Sequence, residues 1–103
     1  MKFLVIRKPR PGALVQPTSQ TIRAHKERLL AAVKSGEVDC TYAFVGGGGC
    51  SITNANNAED LNQRLFSSPL GLFYEFEVHP LSDYGQFMDT VAQVLETREK
   101  QSR

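Results

Sequence analysis

Apolar and polar residues alternate most regularly over positions 72–78. Leu72, Tyr74, Phe76 and Val78 fall on one side of an extended chain, and Phe73, Glu75, Glu77 and His79 on the other. Pro69 bars a helix from continuing past Leu65 and Phe66, and Pro80, with no N–H for a ladder, is expected to close the strand. At the amino end Phe3, Val5 and Arg7 alternate with Leu4 and Ile6, which predicts a strand over 2–8. Pro9, Pro11, Gly12 and Pro17 predict a loop. Thr18 or Ser19 can then cap a helix running to Ser35. Its apolar stripe is Ile22, Leu29, Leu30 and Val33, with Lys26 snorkelling across it, His25 at its edge and Gly36 as the stop.

The pattern continues with a strand over 38–45, a glycine turn at 46–49 and a short strand over 50–53. Asn56 is placed to cap a second helix, with Glu59 in the capping-box position and Leu61 and Leu65 as its buried edge. After the 72–78 strand, Ser82 or Asp83 caps a last helix over 84–98, with Phe87, Val91, Val94 and Leu95 as its stripe and a frayed tail over 99–103. The order β-α-β-β-α-β plus a terminal helix is the split βαβ, ferredoxin-like pattern. It predicts an α+β domain with a four-stranded antiparallel sheet and both internal helices on one face. One helix layer cannot cover two faces, so the bare face is expected to bury itself against a second copy, two sheets enclosing a dimeric α+β barrel.

Composition narrows the function without naming it. The 103 residues suit one domain, 1–103, with a net charge of +1. There is no basic block with interleaved aromatics to suggest nucleic acid. No run of about 18 apolar residues predicts a membrane span. A cytoplasmic protein is the expectation. In the predicted hairpin Cys50 lies opposite Val45, so no disulfide to Cys40 is expected. Two thiols without a clustered His make a poor zinc site, and no metal is expected. The Gly46–Gly49 run lacks the Lys-Ser/Thr ending of a phosphate loop and leads into a strand, so it reads as a turn needing positive φ, or as a lid.

Glu75, Glu77 and His79 share one strand face with neighbours about 6–7 Å apart. Two carboxylates in a partly dry pocket can hold one pKa high enough for a proton transfer beside a carbonyl. These three are the candidate catalytic residues. His25, Tyr42, Phe73 and Arg7 are candidates for lining the pocket, and Arg7 has a parity that lets it join the carboxylates.

The helix ending in Ser35-Gly36, Tyr42 four residues before Gly46, and the closing Pro69-Leu70 with Phe73-Tyr74-Glu75-Phe76-Glu77-Val78 resemble the muconolactone δ-isomerase family over residues 20–81. The resemblance implies a dimeric α+β barrel that assembles further and shifts a double bond in a lactone without cofactor or metal. The isomerases carry polar and basic side chains around the strand-two turn, whereas this chain has Ala43 and Gly47 to Gly49 there. The expected function is therefore proton transfer on a small cyclic or carbonyl compound, with the chain itself and a small hydrophobic or carbonyl ligand as partners. A non-catalytic binding or assembly module, or cofactor-free monooxygenase-like chemistry, are the alternatives on the same fold.

Overall fold

In the computed structural model, which describes residues 1–12 and 16–102, the chain runs β1 (Lys2–Pro9), α1 (Ser19–Ser35), β2 (Val38–Ala43), β3 (Gly49–Asn54), α2 (Ala58–Phe66), a 3-10 turn (Pro69–Leu72), β4 (Tyr74–Leu81) and α3 (Tyr84–Gln101). Part of the loop expected after Pro9, residues 13–15, and the last residue of the expected frayed tail lie outside the described residues. The sheet order is β2-β3-β1-β4, all neighbours antiparallel. This is the α+β, four-stranded arrangement that the element order predicts.

Local chemistry explains most boundaries. The Thr18 side chain accepts from the Thr21 N–H and starts α1; Gly36, at φ 88°, ends it in the left-handed region with its N–H on the Val33 carbonyl. The second helix starts one residue later than expected. Asn57, not Asn56, caps it by accepting from the Asp60 N–H, and the Asp60 carboxylate, not Glu59, takes the Asn56 N–H. The Asp83 side chain accepts from Gln86 N–H and caps α3, which continues past Arg98 to Gln101 because Glu99, Lys100 and Gln101 are good helix formers.

Three strand details differ from expectation. Residues 69–72 close a 3-10 turn capped by Ser68, so β4 begins at Tyr74 and Leu72 is exposed. Pro80 does not end β4, which pairs through Pro80 with Phe3 and on to Leu81. β4 is an edge strand, where a residue without N–H can sit with its nitrogen side toward solvent. In the β2–β3 hairpin Cys50 lies opposite Tyr42 rather than Val45, because β2 stops at Ala43 and the loop takes in Phe44 and Val45. Gly46, Gly47 and Gly48 all have positive φ, which is what this turn demands of them. Both cysteines are free.

The odd positions of β1 and β3 and the even positions of β4 share the helix-side face. Val5 is opposite Ser51 and Val78, and Arg7 is opposite Gly49 and Phe76. Phe3, Val5, Ala55 and Leu61 make the core cluster, with Leu65 and Phe76 packed on it and Leu70 and Val38 also buried. Phe66 and Phe76 meet edge to face, centroids 5.5 Å apart. Neither α1 nor α3 has a fully buried residue. The other face of the sheet carries Leu4, Ile6, Cys40, Cys50 and Ile52, all half-buried.

Candidate functional site

Alternation along β1 puts Arg7 on the same side as the core residues Phe3 and Val5, and β3 does the same for Ser51 and Thr53. A cation and two hydroxyls thus point where a packed core would be apolar. α1 stands over them without sinking in. Its inward line is His25, Leu29 and Ala32, while Ile22 and Leu30 of the expected stripe are exposed, and Lys26 points outward to pair with Glu27 at 3.3 Å. Between the layers lies a cavity of about 120 Å³, walled by Val5, Arg7, His25, Ser51, Tyr74 and Phe76, among others.

Arg7 is the centre of the polar end. One guanidinium nitrogen donates to Ser51 Oγ at 2.6 Å and another to Thr41 Oγ1 at 3.3 Å; Ser51 Oγ donates in turn to Thr41 Oγ1 at 2.9 Å. Among the described residues no carboxylate lies within ion-pair reach of Arg7. Burial lowers its pKa, with the nearby Tyr74 phenol and Cys50 thiol opposing the shift. The hydroxyls satisfy N–H groups but supply no negative charge, so the pocket carries an uncompensated cation. The other two arginines at the walls are held elsewhere: Arg64 pairs with Asp60 at 3.3 Å and Glu37 at 3.6 Å, and Arg28 donates to Ser67 Oγ.

His25 faces Arg7 from the helix side. Its Nδ1 lies 3.4 Å from Ser68 Oγ, which also accepts from the Leu70 N–H as the cap of the 3-10 turn. With one Ser68 lone pair so engaged, the other can take Nδ1–H, and that tautomer leaves Nε2 as a base. Burial first, then the charges of Arg7 and Arg28, lower the His25 pKa, so the ring is neutral near pH 7. The site therefore combines a fixed cation, a neutral imidazole and a phenol around an apolar wall.

Of the sequence candidates, Arg7 and His25 meet at this cavity. The others do not line it. Tyr42 is 69% exposed and shares the outer face with Cys50. Phe73 stacks edge to face on Tyr74 at 5.3 Å, outside the cavity. Glu75, Glu77 and His79 are exposed on the opposite face of the sheet, where Glu77 and His79 pair at 3.4 Å with side chains 61% and 55% exposed. The joining of Arg7 to these carboxylates is corrected: Arg7 lies opposite Phe76, with the sheet between it and them. Tyr74, Ser51, Thr41 and Ser68 are site residues that the sequence reading passed over. The available signal was a Ser and a Thr on the core parity of β3, matched to an Arg on the core parity of β1. Among the described residues no group of three His, Cys, Asp or Glu is placed to hold a metal ion.

A single layer of helices over a four-stranded antiparallel sheet, with a polar-ended cavity between them, defines an α+β domain with an interlayer pocket. The particular fold is that of muconolactone isomerase, whose crystal structure superposes with a TM-score of 0.65 at 20% identity, covering 82% of this chain and 91% of that one. The chain is likewise similar to 5-chloro-2-hydroxyhydroquinone dehydrochlorinase from Burkholderia phenoliruptrix, solved with 2,5-dihydroxybenzoquinone, with a TM-score of 0.60 at 18% identity over 84% of this chain and 98% of that one. No family model matches the sequence, and neither does any curated protein. No helix among the described residues is long and apolar enough to cross a membrane.

Proposed function

We propose that this chain is a small cofactor-independent enzyme that moves a proton on a small cyclic anion held between α1 and the sheet. The observation that carries the reading is the Arg7 guanidinium inside the cavity, held by hydroxyls alone, with a neutral His25 beside it. An anion such as a carboxylate or an enolate supplies the charge that the protein leaves out, and a bidentate pair with Arg7 orients it. His25 Nε2 removes a proton from carbon next to a carbonyl and returns it at a second carbon, so that the C–H bond broken at one end is remade at the other. Charge that develops on the ring oxygen falls near Arg7 and Tyr74, in a site partly closed to water. The apolar wall of Val5 and Phe76 suits a flat ring.

The two structural neighbours support the substrate size: one is an isomerase of a lactone, and the other carries a dihydroxyquinone. The assembly proposed with this function is a homodimer, a second copy covering the outer sheet face. The free, half-buried thiols fit the reducing cytoplasm expected from the sequence.

Two probes test the reading. Muconolactone turnover is followed by absorbance, and 2,5-dihydroxybenzoquinone binding by calorimetry, for the native chain and for Arg7→Met and His25→Asn. Binding that falls at least tenfold in Arg7→Met, with turnover lost in His25→Asn while binding persists, supports it. Equal binding by native and Arg7→Met protein overturns it. Binding without turnover of any lactone offered favours the non-catalytic module.

A further inference from the structure

We infer that the cavity takes a small ring bearing two acidic groups, one held by Arg7 at the inner end and the other by Arg28 at the mouth. The inference rests on the reading of Arg7 as an anion site and narrows the ligand from an anion to a dianion. Arg28 belongs to the wall of the same cavity and is exposed, whereas Arg7 is half-buried, so the two cations mark its open and its closed end. Among the described residues no carboxylate lies within ion-pair reach of either one.

An exposed arginine ordinarily swings freely in water and needs no partner. Arg28 is instead tied across the mouth, from α1 to the end of α2. Its guanidinium donates to Ser67 Oγ, and that hydroxyl donates in turn to the Arg64 carbonyl at 2.9 Å. One turn earlier on α1, His25 meets the next residue, Ser68, at 3.4 Å. Positions three apart lie about 5–6 Å from each other on a helix surface, so Arg28 flanks His25 while Arg7 faces it from the sheet. Both charges reach the imidazole, since each helps to lower its pKa. The carboxylates of this region are engaged elsewhere. Glu27, next to Arg28, pairs with Lys26 at 3.3 Å. Glu37 and Asp60 both pair with Arg64, and Glu37 follows the end of α1, about 10 Å of helix beyond Arg28.

A monoanion leaves one of these two cations uncompensated. A ring with acidic groups on two separate carbons compensates both and places His25 beside the carbons between them. Ser67 takes a single donor nitrogen of Arg28, which leaves the rest of the guanidinium fork for a carboxylate.

The experiment measures benzoate, isophthalate and terephthalate by calorimetry at neutral pH and one ionic strength, with the native chain, Arg28→Met and Arg7→Met. At least one of the two diacids is expected to bind the native chain about tenfold or more tightly than benzoate, the size of one added charge-assisted contact. Arg28→Met is expected to bring that diacid to within about twofold of benzoate while benzoate itself binds as before. A tether between α1 and α2 and nothing more would move the melting temperature but not the ratio of diacid to monoacid. Equal native affinity for benzoate and both diacids, with binding lost in Arg7→Met, overturns the dianion and leaves the anion site standing. A diacid preference that survives in Arg28→Met overturns it as well. Binding of all three that is unchanged in Arg7→Met, or no binding to the native chain at millimolar concentration, overturns the anion site and this inference with it.

Discussion

At Arg7 the proposed anion binding is set against the stability of the molecule. The guanidinium is half-buried without a counter-charge, and that burial lowers its pKa. Arg7→Met, similar in length and apolar, is expected to raise the urea midpoint while removing anion binding. Sulfate or 2,5-dihydroxybenzoquinone should stabilise the native chain and not the variant. A variant less stable than the native chain would show that the hydroxyl network outweighs the desolvation. Gly49 guards the same group. A Cβ there would meet the Tyr42 carbonyl oxygen and come 2.7 Å from an Arg7 guanidinium nitrogen. Gly49→Ala is expected to cost about 1–3 kcal/mol in chemical unfolding, in the range of overpacking, and to weaken the ligand bound by Arg7. His25 adds a pH dependence of known sign. Its pKa in the folded chain lies below the ordinary 6.5. The unfolded chain therefore binds the proton first, and stability is lost as pH falls below about 6.5. Urea midpoints between pH 7.5 and 5 should fall for the native chain and fall less for His25→Asn.

At the scale of elements, helix starts are set by single side chains. Asn57→Ala removes the acceptor for the Asp60 N–H and should cost about 1 kcal/mol, read from thermal unfolding. The closing strand divides sharply between its two faces. Phe76 packs on the core and Tyr74 lines the cavity, while Glu75 and Glu77 stand on the far side of the sheet. Glu75→Gln and Glu77→Gln are expected to leave ligand binding at the cavity within twofold of native. A larger loss in calorimetry would return the chemistry to the acidic face of β4. The facing of α1 does not follow its hydropathy. Its stripe includes Ile22 and Leu30 by hydropathy, yet the face that looks inward is His25, Leu29 and Ala32. The helix rests above a cavity, not on a filled core, so hydropathy alone does not report its orientation.

For the whole molecule, sedimentation at micromolar concentration should give a dimer or a multiple of it, with a melting temperature that rises with concentration. A well-folded monomer would leave the outer sheet face without cover. The element order, the caps at Thr18, Gly36 and Asp83, the glycine turn and the parity of β1 and β4 are all legible in the sequence. Each is decided by residues within one turn or one strand of each other, through periods of 2 and 3.6 and through single side chains that satisfy neighbouring N–H groups. The site is another matter. Arg7 and Ser51 are 44 positions apart, and His25 and Ser68 are 43 apart. Their meeting depends on the β1–β3 register, on the extra loop residues that moved Cys50 opposite Tyr42, and on which side of the sheet the helices cover. Local pattern places Arg7 on a face; only the packed layers decide that this face encloses a cavity, and that the carboxylates of β4 lie outside it.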